Sequence, residues 1–212
     1  FVPVTMWITA FVFALASVPT FAWLNERAVP QPARPGLIAA SLARVCATWR
    51  EAGRYRDLMR FLLCIVFYQA GIQAVIALAA IYADQAMGFT PRQTIVLILV
   101  VNLTAAAGAF AFGYVQDRIG HKRALSLILL AWIATVLLAW AAHGQVLFWI
   151  AANLIGLCLG SSQSAGRALI GYLSPVAKRA EFFGLWGLAV KFAAILGPLT
   201  YGAVSWISGG DH

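Results

Sequence analysis

Charge is what this sequence has least of. Only 10% of its 212 residues are Asp, Glu, Lys or Arg, and just seven are acids, whereas soluble domains run at about 25% charged. So few ionic groups cannot clothe a water-facing surface. The acids Glu26, Glu51, Asp57, Asp84, Asp117, Glu181 and Asp211 all fall between the long apolar runs or at their ends. No carboxylate therefore sits where a midplane proton relay needs one. The three cysteines (Cys46, Cys64, Cys158) and three histidines (His121, His143, His212) are scattered, with no CxxC or Cys/His spacing. No metal site and no cofactor can be assigned on that pattern. An intramembrane enzyme needs a Ser/His, Asp/Asp or His/Glu constellation at depth. None is present, so no catalytic residue is named and the chain is not read as an enzyme.

What the sequence has in excess is apolar surface, at 62% of residues, against about 45–50% in soluble domains. Runs near 2–24, 58–82, 93–115, 122–141, 146–172 and 182–207 each approach the roughly 20 helical residues that cross a bilayer. Lipid leaves the backbone only helices or closed barrels, and these runs are too long for barrel strands. The expected fold is all-α, with six transmembrane helices. The net charge of +8 does not point to nucleic acid, because the basic residues cluster in the gaps between apolar runs. One set of alternate gaps holds eleven of them (Arg27, Arg34, Arg44, Arg50, Arg54, Arg56, Arg118, Lys122, Arg123, Lys178, Arg179) and the other only Arg92. The positive-inside bias places the first set in the cytoplasm, and both chain ends on the extracytoplasmic side. That topology, with an opening Phe1-Val2-Pro3 and a first run too long for a signal-peptide core, reads as a piece of a longer frame.

Local signals set the boundaries. Thr90-Pro91-Arg92-Gln93 has the form of a capping box with proline at the first helical position, and Ser174-Pro175 stops the fifth span. Between 25 and 57, Ile38, Leu42, Val45 and Trp49 fall at i, i+4, i+7 and i+11. This fits an amphipathic helix on the cytoplasmic membrane face, the alternative being a plain solvated linker.

After the third run the sequence reads Gly113-Tyr-Val-Gln-Asp117-Arg118-Ile-Gly120-His121-Lys122-Arg123. Gly113 is expected to let two helices approach, Gly120 to permit a sharp bend, and Asp117 to place an anion among helix ends and bases. The spacing resembles the loop signature of the major facilitator superfamily, with His121 at one usually basic position. Further on, Gln163-Ser164-x-x-Arg167, Ser174-Pro175, Lys178-Arg179-Ala180-Glu181-Phe182-Phe183-Gly184, Lys191 and Leu196-Gly197-Pro198 look like the vacuole-effluxer-like (autophagy-related effluxer) branch. The resemblance covers roughly 58–207. It implies helices six to eleven of a twelve-helix secondary transporter: 1–24 the last helix of the N-terminal half, 25–57 a cytoplasmic inter-half linker, and 58–212 a C-terminal half lacking its final helix. The gating-loop motif would be Gly113, Asp117, Arg118, Gly120, Lys122 and Arg123. The implied partners are a small-molecule substrate, the lipid bilayer and the missing half, and the implied location is a bacterial inner membrane.

Polar side chains at depth are the candidates for function. Lys191 lies about 15 Å past Glu181 by helical rise, on a stripe with Gly184, Gly187, Ala194, Pro198 and Gly202. Small stripes are where membrane helices pack. Lys191 either meets an anionic group or gating partner, or snorkels to a carbonyl. A second stripe carries Asn153, Gly156, Gly160, Ser164, Arg167 and Gly171, with Gln163 beside it. Arg167, about 10 Å from Ser174 along the helix, either lines a cavity or reaches the interface. Gln69 and Gln73 stack at i, i+4, as substrate ligands or as helix glue; Asn102 and Thr104 are open to the same two readings. The substrate-cavity candidates are Lys191, Arg167, Gln163, Asn153, Gln69 and Gln73. Lys191 and Arg167 favour a solute bearing a carboxylate or similar anion, the branch resemblance implies an amino-acid-like one, and the expected mechanism is alternating access. The rival reading is a non-transporting scaffold or sensor built on a transporter fold.

Overall fold

Each apolar run of the sequence becomes one helix in the computed structural model, which describes residues 2–25, 39, 43, 46–47, 50, 53–85 and 87–207. Two compact units are present, Phe1–Leu42 and Ala43–His212. The expected amphipathic helix rests on Ile38, Leu42, Val45 and Trp49, which lie outside the described residues.

In the first unit, α1 spans Val2–Trp23. It is apolar all round, and Trp7, Phe11, Phe13 and Phe21 are all exposed. Such a helix suits lipid rather than water.

The second unit holds α2 (Arg56–Gln85), α3 (Pro91–Ile119), α4 (His121–Trp140), α5 (Gln145–Leu173), a 3₁₀ turn (Val176–Lys178) and α6 (Arg179–Ile207). The short connections make successive helices antiparallel. The starts of α2, α4 and α6 and the ends of α3 and α5 therefore share one end of the bundle, the basic one. All six helices are long and apolar enough to cross a membrane. Side chains such as Phe110, Leu130 and Trp140 stand 77%, 61% and 80% exposed. Scattered apolar exposure is ordinary, but dozens of such side chains on every outer face require a lipid solvent.

The helices outrun the apolar runs by a turn or so, because hydrogen bonding continues into polar flanks. α3 starts with the full capping box: the Thr90 N–H donates to Gln93 Oε1 at 2.8 Å, and the Gln93 N–H donates to Thr90 Oγ1 at 3.4 Å. α5 ends at Ser174, whose N–H and Oγ both reach the Ile170 carbonyl. Gly120 alone joins α3 to α4, at φ 89°. That conformation is strained for any residue bearing a Cβ.

Two cores hold the unit together. At the basic end, Leu58, Phe61 and Ile65 of α2 pack with Ile128 and Trp132 of α4, Leu169 and Ile170 of α5, and Phe182 and Leu185 of α6. At the other end, Phe89 meets Phe148 edge-on at 5.6 Å and stacks on Trp149 at 5.9 Å. Between the cores the backbones do the packing. A Cβ on Gly108 would strike the Leu157 carbonyl, one on Gly160 the Ala105 carbonyl, and one on Gly156 would meet the Val101 carbonyl at 2.7 Å. Three glycines thus let α3 and α5 touch main chain to main chain. The buried Ser161 shares its single hydroxyl proton between the Leu157 carbonyl of its own helix at 2.7 Å and the Gly108 carbonyl across the seam at 3.0 Å.

Candidate functional site

Close backbone contact at Gly156 and Gly160 leaves little room along one side of the α3–α5 seam and opens a recess on the other. This cavity, of about 420 Å³, is lined by Asn102, Ala105 and Ala109 of α3 and by Leu159, Gly160, Gln163, Ser164 and Arg167 of α5. Ala105, Ala109 and Gly160 are the small residues of its lining. The polar groups come from one face of α5: Gly160, Gln163, Ser164 and Arg167 follow one another at steps of one, three or four residues, so helical rise stacks them. Arg167 is the one charged side chain among the described residues on this wall. The volume lies within the range of small-molecule sites, about 300–1,000 Å³.

Arg167 has a second neighbour across the seam with α6. Its guanidinium carbon lies over the Trp186 ring, 5.9 Å from the centroid. Trp186 is braced edge-on by Phe183 at 6.3 Å. Phe183 in turn sits 3.6 Å from where a Cβ on Gly171 would be.

The other sequence candidates are dispersed. Gln163 joins Arg167 on the cavity wall. Asn153 is half-buried two turns away, and its Nδ2 donates to the Trp149 carbonyl at 2.8 Å. Gln69 is buried on α2. Gln73 lies where α2 meets α6, its Cβ 3.2 Å from a Cβ built on Gly197. Lys191 is exposed on α6 and does not line the α3–α5 cavity.

The small-residue stripe that carries Lys191 is open. Cβ atoms built on Gly184, Gly187 and Gly202 would meet nothing within 4 Å among the described residues. α6 packs through a different face, with Phe182, Leu185, Ala193 and Gly197 buried. The stripe therefore shows no close helix approach at these three glycines within the described residues of this unit, although Ala194 on it is half-buried.

At the basic end, Asp117, Arg118, Lys122 and Arg123 are all exposed. Gly113 also has nothing within 4 Å of a built Cβ, so the helix approach expected there occurs instead at Gly108. Sequence reasoning missed Gln116 beside the motif. This amide is buried, donates to His121 Nδ1 at 2.7 Å and reaches the Ala165 carbonyl at 3.4 Å. It ties the α3–α4 turn to α5, and the His121 ring lies against Tyr172 at 5.0 Å. The place of Gln116 directly before Asp117-Arg118, at the polar end of the run, gave no signal that the amide would be buried. Trp186 gave none, because nothing local distinguishes it from other aromatic residues on lipid-facing helices.

Comparison with known proteins bears on what such an arrangement is for. The family described as "Vacuole effluxer Atg22 like" matches residues 2–209. An uncharacterised MFS-type transporter, YxiO of Bacillus subtilis strain 168, is 25% identical over 205 residues, covering 97% of this chain and 47% of that protein. Autophagy-related protein 22 of Pyricularia oryzae is 26% identical over 222 residues, covering 91% of this chain and 32% of its own length. The same-named protein of Chaetomium globosum is 25% identical over 231 residues, covering 97% and 36%. The chain spans about half the length, or less, of these curated relatives. No solved structure matches it.

Proposed function

The chain belongs to the vacuole effluxer Atg22-like family of major-facilitator-type membrane transporters, and from that premise we propose that it supplies one half of a secondary transporter. Its solute is a small molecule bearing a carboxylate or similar anion, with amino acids the leading class. The α3–α5 cavity is this half's share of the binding site. Transport proceeds by alternating access, one six-helix half rocking against the other around a site near the midplane. Residues 1–24 close the preceding half, 25–57 link the halves, and 58–212 belong to the second. Lengths of relatives roughly two to three times that of this chain agree with this division. The basic end faces the cytoplasm, and by likeness to the Bacillus protein the membrane is a bacterial inner membrane.

One observation carries the reading: Arg167 is the single charged group on a wall otherwise built of Asn102, Gln163, Ser164, Leu159 and small residues. A guanidinium offers five donors in a planar fork that matches a carboxylate. The neighbouring amides and hydroxyl supply the orienting polar groups that solute sites use. Lys191 adds a second cation on the open face of α6, where it meets either solute or the other half.

Flux through the complete reading frame tests this. Arg167→Gln and Lys191→Ala are expected to abolish saturable uptake of a radiolabelled amino-acid mixture into proteoliposomes, with membrane abundance retained. Lys191→Arg is expected to keep part of it. Normal uptake by Arg167→Gln would remove the cavity from the pathway. Loss of both alanine and arginine variants from the membrane would assign Lys191 to folding.

A further inference from the structure

We propose that Trp186 is the positioning residue for Arg167: its ring forms a platform that holds the guanidinium plane toward the α3–α5 cavity. This rests on the reading of that cavity as the solute site. Arg167 is attached to α5 by a long, rotatable stem, and its residue as a whole is exposed. Left alone, such a side chain loses rotamer freedom when it grips an anion, and that loss weakens binding. The arrangement here removes much of it beforehand. The guanidinium carbon lies 5.9 Å from the Trp186 centroid, within the roughly 6 Å at which a cation is held by an aromatic face.

The platform is itself fixed. Phe183 meets Trp186 at 69° between ring planes, and Phe183 rests over Gly171 of α5. Arg167 and Gly171 are one turn apart on α5, and Phe183 and Trp186 one turn apart on the antiparallel α6. The seam therefore has two consecutive rungs, Gly171–Phe183 and Arg167–Trp186. A Cβ at Gly171 would lie in ordinary van der Waals contact with the Phe183 ring, so Phe183 sits directly against the α5 backbone at this rung. Holding the cation by a ring leaves the guanidinium N–H donors free to meet an anion. A salt bridge would have consumed them. Among the described residues no carboxylate lines the cavity to compete for them.

The test uses the complete reading frame in proteoliposomes, with Trp186→Phe and Trp186→Leu beside Arg167→Gln. For a radiolabelled amino-acid mixture, Trp186→Leu is expected to raise the half-saturation concentration about three- to tenfold while the maximal rate falls less than twofold. Trp186→Phe keeps an aromatic face and should stay within about twofold of the parent. A parallel arm needs no solute: p-hydroxyphenylglyoxal modifies free guanidinium groups, and mass spectrometry reads the Arg167 peptide. Modification should be faster in Trp186→Leu than in the parent and in Trp186→Phe. Equal modification rates in all three would overturn the proposal. So would an unchanged half-saturation concentration in Trp186→Leu, or equal losses in Phe and Leu variants, which indicate bulk packing only. Saturable uptake by Arg167→Gln at the parent's half-saturation would instead fail the reading of the cavity, while the modification arm still reports on the stacking.

Discussion

Two helices of this chain carry stripes of small residues, and only one stripe is filled. On α5, Gly156 and Gly160 sit so close to α3 that a methyl group on either would collide with main chain. On α6, Gly184, Gly187 and Gly202 are just as small and fall on one face of the helix, yet built Cβ atoms there meet nothing within 4 Å among the described residues. Composition and period cannot separate the two. What separates them is the partner: α3 offers Val101, Ala105 and Gly108 in register with α5, whereas the open face of α6 is turned from α2 and α5. A small stripe therefore states that close approach is permitted, and only a facing helix makes use of it. An open stripe bearing a lysine near the middle of a long apolar helix is the kind of surface that the proposed second half, or a water-filled pathway, would cover.

The contrast is sharpest in the response to added methyl groups. Gly160→Val and Gly108→Ala should destabilise the detergent-solubilised protein by about 1–3 kcal/mol or more, as overpacking does, read as a lowered temperature of aggregation on size-exclusion chromatography. Gly184→Ala should be neutral or gain about 0.4–1 kcal/mol, as when alanine replaces a glycine whose site can accept it. A Gly184→Ala loss as large as that of Gly108→Ala would show the α6 stripe to be packed after all.

A smaller effect divides α6 itself. A Cβ on Gly197 would strike the Ala70 carbonyl of α2 and lie 3.0 Å from the Ala74 nitrogen, while Gly202, little more than a turn on, is open. Gly197→Ala should cost about 1–2 kcal/mol, at the lower end of overpacking, and Gly202→Ala nothing measurable, in the same assay. Equal costs at both positions would erase the distinction between the two faces.

The smallest expected change probes what the glycines enable. Ser161→Ala removes the hydrogen bond to the Gly108 carbonyl, and cross-helix bonds in membranes average about 0.6 kcal/mol. A loss of several times that would mean the hydroxyl, and not glycine contact, holds α3 to α5.

Much of this architecture was legible beforehand, for identifiable reasons. The six spans follow from hydrophobic length, which lipid imposes directly on sequence. Thr90, Gln93 and Ser174 announce helix ends because caps are local. Gly120 announces the turn because its φ of 89° favours glycine. Arg167 and Gln163 were found together because cavity-lining residues on one helix share a face. The facing wall was not found: Ala105 and Ala109 are silent residues, and their role depends on which helix stands opposite. Trp186 lies nineteen positions from Arg167 on another helix, so no periodicity links them. Gly113 was expected to mediate close approach and does not; Gly108, one helical turn and a half earlier, has that task because it faces Leu157.

The central proposal is that the polar face of α5 and the Lys191 face of α6 line a water-filled solute pathway, whereas the outer face of α4 that carries Leu130 looks onto lipid. Single cysteines at Gln163 and Lys191, in a background where Cys46, Cys64 and Cys158 are replaced, read this directly with a hydrophilic methanethiosulfonate reagent. Leu130→Cys, on the lipid-facing side of α4, is the control. The account predicts rapid modification of Gln163→Cys and Lys191→Cys, slowed by transported solute, and little or none at Leu130→Cys. Gln163→Cys and Lys191→Cys as inert as the control would contradict it.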